Sequence, residues 1–381
     1  MRREMWSRFG WMCLSILLLS ILSTGCNTEL SRARLLLEKK DYLLAERLYR
    51  NVLRSDPDNE DALKEYTKLI CETIKEKEKD EYNNTRCMIF SQKLYQRFPK
   101  DPNISKWYQG SLLKYSKALY ISMQLKKASE YFEEYKKLDP NNGKVLFRLA
   151  NCKFRLNQRP PRDDDALKQA VVDYKKAITK TKKGDTVAIF TASHKNVLQW
   201  EAWMHVGRIH DLWITDKFIE FNTKYAGLRK KQDAAAAKCR ALPAKRRSQR
   251  KKQKACFEKV NKMLDGVKFK PNKEHFDNLL GAYSKAKDIP TTNKYKRTLP
   301  YIQMALALAK YKRDYVKAIE WLKKADDLAG NTDLNVVVNM KMIYDRLAEK
   351  AETDGDKELK KKYEKLSVKY DSRVASLRGQ K

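Results

Sequence analysis

The sequence predicts an all-α fold built as an array of paired helices. Three observations lead there. Only 12 glycines and 10 prolines occur in 381 residues, while Ala, Leu, Lys and Glu abound, so helix breakers are rare and helix formers dominate. The chain is self-similar at a period of about 34 residues, the length of two helices and their turns. The recurring line puts a small residue four positions before an aromatic or a leucine, which stacks the two on one helix face. Residues 26–381 suit two domains or one elongated array better than a single small core.

The N-terminus reads as an export leader. Arg2, Arg3 and Arg8 precede an apolar run from Trp11 to Leu22, and Leu22-Ser23-Thr24-Gly25-Cys26 follows. Roughly 12 apolar residues are too few to cross about 30 Å of hydrocarbon as a helix. The small residues before the cysteine resemble the lipobox of bacterial lipoproteins, although that family prefers an aliphatic residue where Ser23 stands. The resemblance implies a signal peptide over 1–25, cleavage ahead of Cys26 and acyl chains such as palmitate on that cysteine. It implies a chain held by lipid at a membrane of the bacterial envelope. Asn27 then points to the periplasmic face of the outer membrane.

The repeats come next. Asp41-Tyr42, Ala45, Tyr49, Leu53 and Asp56-Pro57 form the first clear line, and Asp314-Tyr315, Ala318, Leu322 and Ala325 the last. Between them stand Ala128, Phe132 and Tyr135, closing on Asp139-Pro140, and Ala170, Tyr174 and Ala177. The small residue admits a close neighbour, the aromatic fills the space one turn on, and the proline begins the next turn. Preceding helices show at Leu63, Tyr66 and Ile70; Leu112, Tyr115 and Leu119; Leu146, Leu149 and Ala150; Trp203, Val206 and Gly207; Ile302, Ala305 and Ala309; and Val336, Met340 and Ile343. Six to eight pairs fit the length.

These lines resemble the tetratricopeptide repeat (TPR). The resemblance implies an α-solenoid, a right-handed superhelix whose first helices line a concave face. It covers 26–180 and 299–350. The resulting plan is a first array over 26–183, degenerate helical repeats over 184–298, and TPR-like helices over 299–381. Within the middle part, residues 228–262 read as an insertion.

That insertion carries 14 Lys and Arg against Asp233 and Glu258, a net +12 within a chain of +34. Its alanines favour helix and Pro243 breaks it, which predicts two helical arms around a basic tip. Lys245, Arg246, Arg247, Arg250, Lys251, Lys252 and Lys254 form the densest part. They suit an anionic lipid or another polyanion, or else a solvated hairpin without a dedicated partner. Export argues against nucleic acid, and Phe257 alone offers no platform for stacking bases.

Cys71 and Cys87 lie 16 apart and Cys239 and Cys256 lie 17 apart. Each pair can meet across a helical hairpin and oxidise in an exported protein, or stand as separate, partly buried thiols. Cys152 sits at a packed helix position.

Catalytic and metal signatures are missing from the sequence. There is no Gly-rich phosphate loop, no Gly-x-Ser-x-Gly elbow and no Cys-x-x-Cys. His205 and His210 lie about 140° apart around one helix, off a common face. Asp163-Asp164-Asp165 reads as a helix cap. Neither a cofactor nor a metal is expected.

The TPR resemblance places groove residues at set positions of the first helices: Lys117 and Tyr120; Phe147, Arg148, Asn151 and Arg155; His205 and Arg208. Arginine forks and an Asn amide can clamp a peptide carboxylate. The leading expectation is a non-catalytic envelope scaffold for a protein or peptide partner. The alternatives are a polyanion or lipid binder using the insertion, or a transporter-associated cargo carrier with a cavity lined by Trp200, Trp203 and Trp213.

Overall fold

The computed structural model describes residues 28–73, 81–182, 185–188, 195–243, 247–291 and 293–379. Cys26 with its leader, and Lys245 and Arg246, lie outside them. Helix α1 spans residues 28–38. It is followed by α2 (Tyr42–Ser55), α3 (Glu60–Lys68), α4 (Glu81–Arg97), α5 (Pro102–Ile121), α6 (Leu125–Leu138), α7 (Gly143–Leu156) and α8 (Asp164–Thr179). Then come α9 (Leu198–Arg240), α10 (Arg247–Asn261), α11 (Lys273–Lys287), α12 (Lys294–Ala307), α13 (Tyr315–Leu328), α14 (Leu334–Thr353) and α15 (Lys357–Gly379). The fold is all-α.

One small departure precedes α9. Strands β1 (Thr186–Ala188) and β2 (Lys195–Val197) pair antiparallel, with Thr186 opposite Val197. The sequence reading held no strand here. The β-branched Thr186, Val187 and Val197 favour the extended form over a stretch too short for a helix.

Helices pack on their partners as α3 with α4, α5 with α6, α9 with α11, α12 with α13 and α14 with α15. The small residues of the repeat lines sit at the seams: Ala45, Ala128, Ala170 and Ala318 have no exposed surface, nor have Tyr49, Phe132, Tyr174 and Leu322. The turns inside the pairs repeat as well. Lys40, Met123 and Arg313 are left-handed, with φ of 59°, 62° and 54°. Each directly precedes the residue that starts the second helix: Asp41, Gln124 and Asp314. Asp41 N–H donates to Leu36 O at 2.9 Å, and Gln124 N–H to Leu119 O at 2.9 Å, the six-to-one bond of a helix closed by a left-handed residue. Asp314 N–H reaches Leu308 O at 3.2 Å, one residue further back, because α12 widens into a π turn over Leu308–Lys312. Asp163 caps α8, its Oδ1 accepting from the N–H groups of Asp165 and Ala166 at 3.0 and 2.9 Å.

Contacts divide the chain into two units, one ending at Cys152 and the other beginning at Lys153. In the first, Tyr49, Tyr66 and Leu69 centre one cluster, and Tyr108, Leu112, Phe132 and Leu149 another. In the second, one core runs from Trp200 and Met204 through Tyr283, Ile302 and Leu322 to Met340. Gly207 lets α9 approach α11, since a Cβ there would lie 2.8 Å from Tyr283 Cδ1 and Cζ.

Helix α9 is 43 residues long, or about 65 Å at 1.5 Å per residue. It packs on α8 and α11, and α10 also packs on it. Pro243 lies in the turn between α9 and α10, as its ring requires. Gln253 Nε2 donates to the carbonyls of Cys239, Arg240 and Leu242 at 3.2 to 3.4 Å, which satisfies the open end of α9. The two arms foreseen for 228–262 are therefore the end of α9 and α10.

Candidate ligand-binding groove

In the first unit, α5 and α7 bring the sequence-predicted cations together. Asp101 starts α5, accepting from the N–H groups of Asn103 and Ile104, with Pro102 in the first turn. The buried stripe Ile104, Tyr108, Leu112 and Leu119 then fixes the helix rotation. Lys117 and Tyr120, three apart, share a side of it. Tyr120 is buried and its ring meets Phe132 edge-on at 6.3 Å. Lys117 is half-buried.

Arg148 of α7 is also half-buried. Burial pushes its guanidinium below its ordinary range, and among the described residues Tyr120 and Cys152 favour the charge. Burial likewise lowers the Lys117 ammonium, and Arg148 and Lys144 push it further down. Among the described residues no carboxylate bears on either charge. Two partly desolvated cations without a counterion are costly, and an anion between them removes the cost. A carboxylate suits the arginine fork.

Phe147 and Asn151 take other roles. Both have no exposed surface, so neither side chain is open to a partner. Their expected place on the groove is corrected: α7 is buried around more of its girth than one amphipathic stripe, with Val145, Leu146, Leu149 and Ala150 equally enclosed.

In the second unit, Arg155 is half-buried and Arg208 exposed. His205 is buried, stacked on Tyr174 at 5.4 Å with Phe154 at 5.1 Å. Burial, and then the charges of Arg208 and Arg155, hold its imidazole well below the usual histidine range. It is a neutral packing group, and its expected groove role is corrected too. His210 lies elsewhere, its Nδ1 at 3.2 Å from Nδ1 of His275 beside Trp213. Among the described residues no group of three His, Cys, Asp or Glu is placed to hold a metal ion. No helix among them is long and apolar enough to cross a membrane.

The cysteines join as two disulfides, Cys71–Cys87 with Cα atoms 5.2 Å apart and Cys239–Cys256 with Cα atoms 5.6 Å apart. Cys152 is a buried thiol. Of the basic tip, Arg247, Arg250, Lys251, Lys252 and Lys254 are all exposed on α10. Four of them, Arg247, Arg250, Lys251 and Lys254, follow i, i+3, i+4, i+7 and so share one face. Val260, on another side of the helix, is buried.

The three tryptophans each have their own contacts. Trp200 is buried, with the Lys296 ammonium 5.2 Å from its ring centroid, and Trp203 lies under Lys285 at 4.4 Å. Trp213 donates to Asp164 Oδ1 at 3.0 Å. The second unit holds an open cleft of about 1000 Å³ elsewhere, on α9, α12 and α14. Sequence reasoning missed it. Its only signal was Phe218 and Phe221 in an otherwise charged stretch.

No family model matches the sequence, and no curated protein does. Solved structures that resemble the chain include the Cut9–Hcn1 hetero-tetramer of APC/C, at 15% identity and a TM-score of 0.25, covering 93% of this chain and 53% of that one. Yeast Tom70 follows at 14% identity and 0.25, covering 93% and 64%. The TPR domain of P58(IPK) stands at 10% and 0.20, covering 93% and 97%. The chain thus spans between half and two thirds of the length of the first two. Superposition this loose leaves the fold to rest on the chain's own helix pairs and their repeated turns.

Proposed function

We propose that this chain is a lipid-anchored scaffold of the bacterial envelope. In this reading Cys26 carries the anchor and the helix pairs grip a protein or peptide partner. The observation that carries it is the Lys117–Arg148 site, two half-buried cations with no carboxylate among the described residues to balance them. A peptide carboxylate supplies the missing charge, and Lys144 at the edge adds long-range attraction. The periplasmic face of the outer membrane is the proposed location, on the strength of the leader and Asn27.

Two measurements test this. The intact mass of the chain made in a bacterial host shows whether it starts at an acylated Cys26, with Cys26→Ser as control; an unmodified start elsewhere ends the anchor reading. For the groove, envelope proteins enriched on the wild-type chain are compared with those on a Lys117→Glu/Arg148→Glu variant. The same enrichment on both would end the groove reading.

A second reading has its own observation. The four-cation face of α10 suits an anionic leaflet, where each Lys or Arg adds about 1 kcal/mol. Reversing Arg247, Arg250, Lys251 and Lys254 to Glu abolishes co-sedimentation with phosphatidylglycerol vesicles on this reading and leaves partner capture intact.

A further inference from the structure

The cleft of the second unit has a two-sided chemistry. Its floor is aromatic. Phe218 and Phe269 meet edge-on at 5.0 Å, Phe221 lies 5.6 Å from Phe269, and Tyr311 closes the group at 5.8 Å from Phe218. The facing wall is α14, where Ile343 is buried and Met342 is 44% exposed. An exposed methionine opposite a ring cluster gives a ligand's apolar body a surface on each side.

The rim is cationic. Lys268, Lys310, Arg313 and Lys350 all line the cleft. Lys310 is held in place: its ammonium donates to Thr215 Oγ1 at 3.1 Å and sits 4.7 Å from the Tyr311 ring centroid. Of the two acids on the lining, Glu349 is taken by Arg346 at 2.7 Å, leaving Asp354. The balance at the mouth is positive, while the floor carries no charge.

We infer that this cleft binds an amphiphilic anion, with an alkyl or aromatic body between the rings and Met342 and one carboxylate-type head at Lys310 and Arg313. The volume of about 1000 Å³ lies at the upper end of small-molecule sites, roughly 300–1,000 Å³. Apolar burial supplies affinity along the body, and the rim selects the charged head. Its lining shares no residue with the Lys117–Arg148 site.

The test uses the full chain and two probes, a dodecanoate bearing a chain diazirine and the dodecyl alcohol of the same design. Dodecanoate is expected to label peptides containing Phe221 and Met342 on irradiation, with at least tenfold tighter binding than the alcohol. Lys310→Glu is expected to weaken it at least fivefold. Arg313→Gly is the second variant: it removes the charge at a left-handed position that glycine tolerates, so weaker binding comes with an intact turn. Met342→Glu, at an exposed site, abolishes labelling. Labelling outside the cleft, equal affinity for acid and alcohol, or binding unchanged by all three substitutions overturns the assignment. So does competition by an acidic–aromatic peptide but not by unlabelled dodecanoate.

Discussion

Gly207 of α9 lies against the ring of Tyr283 of α11 with no room for a methyl group: an ideal Cβ would sit 2.8 Å from Tyr283 Cδ1 and Cζ. The ring is enclosed, Tyr283 being 1% exposed, so a shift to admit a methyl group disturbs its packing. Gly207→Ala is therefore expected to destabilise the second unit by about 1–3 kcal/mol, the usual cost of overpacking, despite the better helix propensity of alanine. Urea unfolding measures it. Adding Tyr283→Leu frees the space and recovers part of the loss, whereas a neutral Gly207→Ala would show that the helices are further apart.

The left-handed turns give a prediction of opposite sign. Met123 holds φ at 62° and is 54% exposed, so it bears backbone strain and buries little. Met123→Gly is expected to raise stability by about 0.5–1 kcal/mol, since glycine adopts this region freely. Arg313→Gly is expected to do the same. A fall in the unfolding midpoint for both would mean that the turns differ from this geometry.

Stability is expected to fall as the pH drops from about 6.5 to 4. Burial, then His275 and Lys175, lowers His210 to about 4, and His205 is held well below its usual range by burial and two arginines. Both imidazoles fold neutral, and the unfolded chain takes up protons near pH 6.5. Their contribution is complete above that value and is lost as the pH falls toward the folded values, with a slope up to about 1.4 kcal/mol per unit for each group. The lowered carboxylates Asp58, Asp165, Glu220 and Asp345 act only below their ordinary values, outside most of this window. His205→Phe and His210→Phe each flatten the slope; an unchanged slope in both would assign it elsewhere.

What the sequence made legible was local. The Ala–aromatic lines reappear as fully enclosed pairs, such as Ala128 with Phe132, because both partners sit on one helix where spacing alone decides. The Asp163 cap is equally local. The expected groove residues part company in the structure. Lys117 and Arg148 come together, but Phe147 and Asn151 are buried, because α7 is enclosed by neighbours that no single-helix pattern reveals. The cleft was illegible: Phe218, Phe269 and Met342 lie on three segments far apart in sequence, and only packing joins them.

Lys117 offers the last test, because its charge is out of place in the folded chain. Burial and the cations Arg148 and Lys144 all disfavour it. Lys117→Met keeps the stem's apolar packing and removes the charge, so at pH 7 it is expected to stabilise the first unit by a few tenths to about 1 kcal/mol after solvent screening. The folded ammonium has the lower pKa, so the wild type gains stability as the pH rises through that value toward 10.5, and Lys117→Met does not. Urea titrations at pH 7 and pH 10 read both effects. A variant that is stabler yet captures less partner places Lys117 where binding, not folding, needs a charge. A destabilised variant would mean that the ammonium already has a partner within the fold, and the anion-binding reading of the groove would then fail.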